Sequence, residues 1–278
     1  MREKTLYVTD MDGTLLNNGS FVSPLSAEII TDLSADGAMI TVATARTPAT
    51  VVPLMEGAET NIPYIVMTGA ATFDRSAMAY GDVRPIAAAD MARAKDLFAR
   101  FGVNPFIYHL SGNFINVYHS PGLNAAESEF YGIRRDLTLK HFTFEPLSAE
   151  LEAAPTVLFF GMGPSESVEP LADALRADGA YDISCYPDIY LRGTSIIEVF
   201  ARGVSKASAV TGLAERLGAD RIVVFGDNYN DLPMMEVADL AVAVGNAFGA
   251  VKGAADIVIG PNFDDSVARF IEEDFYNC

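Results

Sequence analysis

The sequence predicts an α/β protein: a doubly wound, Rossmann-like parallel sheet interrupted by an inserted α+β domain. Three observations carry this reading. The first third alternates short, near-continuous apolar runs with helical periodicity, the pattern of a parallel sheet covered on both faces. After about Tyr80 the pattern changes to paired extended runs and two helices, as in an antiparallel α+β block. From about residue 195 the alternation resumes, so core segments 1–80 and 195–278 enclose an insertion at 81–194.

The elements follow in order. Thr5–Thr9 is β-branched and aromatic and reads as the first buried strand, ending at Asp10-Met11-Asp12-Gly13, where Gly13 permits a sharp turn. Ser23-Pro24 supplies a helix cap and a first helical position; Leu25, Ile29 and Leu33 keep helical spacing to about Asp36, and Gly37 closes the helix. Ala38–Ala43 is the second strand, ending at Thr44-Ala45-Arg46 before a helix that Pro48 opens, and Ile62–Met67 is the third. In the insertion, Met91, Ala94, Leu97, Phe98 and Phe101 mark a helix, and Phe106–Leu110 with Phe114–Tyr118 reads as a hairpin. Pro121-Gly122 breaks the chain, and no periodicity is clear from there to Phe144. Strands follow at Thr156–Phe160, Ile183–Tyr186 and Ile189–Leu191, with a helix at Val168–Ala177. Ile196–Phe200 leads back to the core, where a helix at Ser205–Leu217 precedes a strong strand, Arg221–Phe225. Leu240–Val244, Asp256–Ile259 and a helix at Val267–Phe275 complete the pattern.

Composition limits the function. A formal net charge of -18, from 37 acids against 19 Lys plus Arg, disfavours nucleic acid and anionic membranes as partners. A small anionic substrate stays compatible, because a metal and a few local donors reverse the field inside a pocket. No signal peptide or membrane span is read from the sequence. The two cysteines, Cys185 and Cys278, suggest no disulfide framework, so a cytoplasmic location is expected.

Four stretches converge. Asp10 and Asp12, Thr44, and Asp227 with Asp231 follow core strands, and the ends of such strands meet along one sheet edge, where ligands bind. Lys206 opens a helix, where the free N–H groups and the dipole already favour an anion. Alone, each has a plainer reading: Asp10–Gly13 a turn, Lys206 a solvated residue, Thr44 a strand-end cap, Asp231 a helix cap. Together they suit hydrolysis of a phosphate monoester. Mg2+ takes a few carboxylate or carbonyl oxygens; Asp10 and Asp227 offer carboxylates and Asp12 a backbone carbonyl. A carboxylate nucleophile divides the displacement into two easier steps. The other Asp protonates the leaving oxygen and then activates water. Lys206 and the Thr44 hydroxyl would balance charge on the transferred group.

The stretches Asp10-Met11-Asp12-Gly13-Thr14-Leu15, Thr44-Ala45-Arg46, Gly203-Val204-Ser205-Lys206 and Gly226-Asp227-Asn228-Tyr229-Asn230-Asp231, with Val244-Gly245-Asn246-Ala247, resemble the haloacid dehalogenase-like phosphatases, in particular the Cof-type group with a large α/β cap. The resemblance spans the core in order, with the insertion where that group carries its cap. It implies Asp10 as nucleophile and metal ligand, and Asp12 as general acid/base and carbonyl ligand. It implies Asp227 as metal ligand, and Asp231 as a support or a ligand through water. Thr44, Lys206, Asn230 and the N–H groups of Met11 and Ala45 would hold phosphate. Ala45 and Ala207 stand where such proteins often have Gly, and Thr68-Gly69-Ala70 where Asn-Gly-Ala is usual. The expected activity is Mg2+-dependent hydrolysis of small phosphorylated metabolites, foremost sugar phosphates. A flavin or pyridoxal phosphate phosphatase, a sugar phosphomutase and a non-catalytic sensor are the alternatives, and a homo-oligomer is left open. Asn113, Asn116, His119, Tyr190 and Arg192 are candidates for cap specificity. His109, His119 and His141 lack zinc-ligand spacing and read as surface or satisfied histidines. Glu198 reads as structural, Asn246 as a turn former, and the aromatics Phe106, Tyr108, Phe114 and Tyr118 as sheet packing.

Overall fold

The computed structural model describes residues 3–188 and 191–277. In chain order the first core segment carries β1 (Thr5–Thr9), α1 (Pro24–Ala35), β2 (Met39–Val42), α2 (Pro48–Leu54), β3 (Tyr64–Val66), β4 (Ala71–Asp74) and β5 (Ala79–Gly81). The insertion carries α3 (Ala88–Arg100), β6 (Phe106–Ser111), β7 (Phe114–Tyr118), α4 (Ala125–Gly132), β8 (Lys140–Thr143), α5 (Ala149–Ala153), β9 (Thr156–Pro164), α6 (Ser165–Asp178), β10 (Tyr181–Pro187) and β11 (Thr194–Ala201). The chain returns through α7 (Lys206–Leu217), β12 (Arg221–Gly226), α8 (Leu232–Met235), β13 (Leu240–Ala243), α9 (Gly249–Ala254), β14 (Ile257–Val258) and α10 (Ser266–Asn277). Among the described residues no helix is long and apolar enough to cross a membrane.

The core unit comprises the chain up to Gly81 and from Ser205 onward. Its sheet runs β14-β13-β12-β1-β2, every pair parallel. Leu6, Tyr7, Val8, Val223, Val224 and Phe225 are all buried, as a sheet covered on both faces requires. Ser23 caps α1 by accepting the Ser26 N–H, and Pro24 and Pro48 occupy the openings of their helices as predicted. The third strand is shorter than the sequence suggests. β3 meets the main sheet only at an Ala43–Ile65 bridge and then folds back into a β3-β4-β5 meander. The reversal runs through Met67, Thr68 and Gly69, all at positive φ. The strand order sets β12, β1 and β2 side by side, and Asp227, Asp10 and Thr44 follow their C-terminal ends.

The second unit, Asp82–Val204, is one six-stranded sheet in the order β10-β11-β9-β6-β7-β8. All its pairs are antiparallel except β7–β8. Its core joins Ile107, Phe159, Ile197 and Val199 of the sheet to Ala94 and Phe98 of α3 and Val168, Leu171 and Leu175 of α6. The boundary expected at 195 is corrected to 205. β11 is apolar enough to read as a core strand, but it pairs on one side with β9 and on the other with β10. The segment without clear periodicity holds α4, whose Asn124–Glu127 capping box starts it, and β8. The strand expected at Ile189–Leu191 falls largely outside the described residues.

Glu198 on β11 is the notable acid of this sheet. Burial alone pushes it up from 4.5 to about 7. The folded state therefore holds a proton that the unfolded chain releases, and stability falls as pH rises from about 4.5 to about 7. Glu198→Gln is expected to raise the thermal midpoint at pH 8 and to leave it nearly unchanged at pH 4. Equal shifts at both pH values would contradict the burial cost.

Candidate active site

The β1 strand ends where Asp10 N–H donates to Phe225 O at 3.0 Å, which fixes the first carboxylate against β12. Asp10 is 6 % exposed. Its Oδ1 accepts from Lys206 Nζ at 2.6 Å, and the same Nζ donates to Asp231 Oδ1 at 2.8 Å. Lys206 opens α7 and is buried, and Ser205 caps that helix in a reciprocal box with Ser208. Asp231 Oδ2 takes the N–H groups of Asp227 and Asn228 at 3.0 and 3.1 Å. Asp231 is therefore both a turn cap and the second anchor of Lys206. Asp227 Oδ1 accepts from the Thr14 hydroxyl at 3.0 Å.

Carboxylate oxygens of Asp10, Asp227 and Asp231 all lie within 4.8 Å of one another. Burial pushes Asp10 up to about 7 against the pull of Lys206, with Asp231 adding repulsion. Burial, with Asp231 and Asp12 contributing, pushes Asp227 to about 6. Burial works against the Lys206 charge too, but Asp10 and Asp231 outweigh it and hold its pKa above the usual value. One ammonium thus faces three carboxylates, and the surplus of hard oxygen donors fits a divalent cation of the Mg2+ type.

Gly13 is required by shape. Its φ is +77°, and a Cβ there would stand 2.5 Å from Asp227 Oδ2. Gly13→Ala is expected to displace the Asp227 carboxylate and to weaken metal affinity by tenfold or more, read by metal titration of the folded variant.

Asp12 points elsewhere. It takes a two-pronged ion pair from Arg46, Nε to Oδ2 at 2.7 Å and Nη2 to Oδ1 at 2.6 Å. Thr44 is buried, and its hydroxyl accepts the Arg46 N–H at 3.1 Å. The N–H groups of Met11 and Ala45 have no hydrogen-bond partner among the described residues. Asn230 is exposed on the Tyr229–Asp231 turn and makes no hydrogen bond to the acidic cluster. Three contributors escaped the sequence reading: Arg46, Thr14 and Asn246. Asn246, expected to form a turn, donates from Nδ2 to Gly13 O at 2.7 Å and accepts the Asn262 N–H at 2.9 Å, so it ties the Asp12–Gly13 loop down. Arg46 and Thr14 lie inside the Thr44-Ala45-Arg46 and Asp10–Leu15 motifs, and that position is their only signal in the sequence.

In the insertion, His119 is corrected from specificity candidate to structural residue. It is fully buried, with Nδ1 2.6 Å from Ser120 O, Nε2 3.2 Å from Asn104 O and Glu127 at 3.6 Å. His109 is buried beside Thr156 Oγ1, whereas His141 is exposed and stacks on Phe114. Arg192 is exposed and Asn113 and Asn116 are partly buried; Tyr190 lies outside the described residues.

A strand-end carboxylate held by a buried ammonium, beside an acidic cluster, defines a site for a metal-assisted reaction of an anionic group. Comparison with known proteins states the class. The family model for haloacid dehalogenase-like hydrolases matches residues 7–271, and the chain belongs to that family. Over 279 aligned residues it is 24% identical to the Bacillus subtilis 5-amino-6-(5-phospho-D-ribitylamino)uracil phosphatase YitU, covering 97% of each chain. Over 77 residues it is 46% identical to the Escherichia coli pyridoxal phosphate phosphatase YbhA, covering 27% of this chain and 28% of that one. In fold it matches the subclass IIB sugar phosphatase BT4131 with a TM-score of 0.70 at 21% identity, covering 98% and 99% of the two chains. The protein is a phosphatase, a phosphoric monoester hydrolase of the haloacid dehalogenase-like type.

Proposed function

We propose that this phosphatase is Mg2+-dependent, acts through an aspartyl phosphate on Asp10, and hydrolyses small phosphorylated metabolites, sugar phosphates foremost. The observation that carries the reading is the Asp10 carboxylate at 2.6 Å from Lys206, with Asp227 across the cluster. Asp10 and Asp227, with the Asp12 carbonyl, would hold the metal. Bound Mg2+ supplies charge neutralisation on the phosphoryl oxygens.

Asp10 attacks phosphorus, the bond to the leaving oxygen breaks, and the phosphoryl group rests on the carboxylate. Lys206, the Thr44 hydroxyl, the free N–H groups of Met11 and Ala45, and Asn230 on its exposed turn receive the phosphoryl oxygens. Asp12 gives a proton to the leaving alkoxide and then, ionised, takes one from the attacking water. Its pairing with Arg46 fits the ionised half of that cycle. Asp231 stays a support, because both its oxygens are already engaged.

The sugar-phosphate reading leans on likeness to a sugar phosphatase. A cofactor phosphate is the second reading, favoured by the identities to YbhA and YitU. The proposed partner is a small phosphorylated metabolite, and the net charge of -18 speaks against nucleic acid and anionic membranes. The test is phosphate release from a panel of sugar phosphates, pyridoxal phosphate and flavin phosphates, with Mg2+ and with chelator. Release only with Mg2+, highest on sugar phosphates, is expected. A ranking led by pyridoxal or flavin phosphate would transfer the assignment to the second reading. Isomerised sugar phosphate in place of free phosphate would overturn both.

A further inference from the structure

The reversal between β3 and β4 is a turn of three consecutive left-handed residues, Met67, Thr68 and Gly69, at φ of +49°, +57° and +95°. Non-glycine residues rarely adopt this conformation, a β-branched Thr least of all. Such strain persists only where the surroundings fix it, and here they do. The Met67 N–H donates to Arg46 O and the Thr68 N–H to Thr44 O, both at 2.9 Å, and the Thr44 N–H donates to Ile65 O at 3.0 Å. The turn therefore moves as one body with the Thr44–Arg46 segment.

Its other side rests on α7. Gly69 is buried, and a Cβ there would stand 2.3 Å from the backbone oxygen of Ser205 and 2.9 Å from Ala209 Cβ. Ser205 caps α7, and the next residue is Lys206, whose ammonium holds Asp10. Real Cβ contacts essentially never fall under 3.0 Å, and a backbone oxygen cannot rotate away as a side chain does. A side chain at Gly69 therefore forces turn and helix apart. If α7 yields, Lys206 moves with it. If the turn yields, Thr44 and Arg46 move instead.

We propose that Gly69 is a positioning residue for the phosphatase reaction. Its missing side chain sets the spacing between the Thr44 turn and the start of α7, and so places Lys206 against Asp10. The inference rests on the reading of Thr44 and Lys206 as phosphate-holding groups. A misplacement of about 1 Å in a reacting geometry costs up to ~10²-fold in rate. The loss falls on kcat, because Lys206 neutralises charge that is greatest in the transition state.

The test compares Gly69→Ala with Gly37→Ala in the full chain. Gly37 has a φ of +96° and nothing within 4 Å of its Cβ position, so it carries the same conformational cost without the contact. Ala209→Val is a third variant, which crowds the same contact from the helix side with no glycine replaced. Each is labelled with 13C at lysine ε-carbons, with the Lys206 signal assigned by its loss in Lys206→Arg, and each is assayed on p-nitrophenyl phosphate with Mg2+. Gly69→Ala is expected to move the Lys206 signal and to lower kcat by roughly ten- to a hundredfold, with KM little changed. Ala209→Val is expected to do the same to a smaller degree, and it decides alone where Gly69→Ala does not fold. Gly37→Ala is expected to lower only the thermal midpoint. A Lys206 signal and a kcat at parent values in the crowded variants, or an equal loss of kcat in Gly37→Ala, would overturn the positioning role. A moved signal with kcat unchanged would overturn it by another route, through the reading of Lys206 itself.

Discussion

Asp10→Asn is expected to lower phosphate release by on the order of 10⁴-fold or more while the fold persists. An amide has nearly the shape of the carboxylate and still offers Lys206 an oxygen, but it cannot form the acyl phosphate. The substitution also removes one of three crowded carboxylates. The thermal midpoint should therefore stay level or rise. The two readouts belong together: activity lost with the midpoint intact separates chemistry from folding. Retained turnover would remove Asp10 from the nucleophile's role and leave the cluster a binding site.

Lys206→Met should act on stability as strongly as on rate. Lys206, Asp10 and Asp231 are all buried, and the ammonium bridges the two acids at 2.6 and 2.8 Å. Replacing a fully desolvated cation leaves two acids facing each other without compensation, and breaking such a pair costs about 3–5 kcal/mol. Denaturant unfolding should show the loss at neutral pH, and the double variant with Asp231→Asn should recover part of it. Phosphate release should fall in both, because the charge near the transferred group is gone in both. A single variant as stable as the parent would mean that the buried bridge is not held in the folded protein as described.

The strands that deliver the site were legible because each is a short, apolar run ending in a polar motif. The run Thr5–Thr9 into Asp10 and the run Arg221–Phe225 into Gly226-Asp227 carry both the sheet and the chemistry, so local pattern and function coincide there. The three-residue β3 was less legible, because its pairing with β4 depends on positive φ at Met67 and Thr68, which no side-chain pattern signals. β11 reads as a core strand because apolar alternation does not say which strands will pair with it. α4 has little apolar periodicity, and only its capping box betrays it. At the site, Asp10, Lys206 and Asp227 could be found as residues in motifs, but their partners could not. Arg46 reaches Asp12 across 34 positions, Thr14 reaches Asp227 across 213, and Asn246 reaches Gly13 across 233. Such contacts exist only once the strand order is set.

The most direct test of the central claim is the mass of the enzyme quenched in acid during turnover of its best substrate with Mg2+. The account predicts a fraction of chains heavier by one phosphoryl group, the modification mapping to the peptide that carries Asp10 and absent from Asp10→Asn. Rapid turnover with no phosphorylated chain at any quench time, or with the group on another residue, would contradict it.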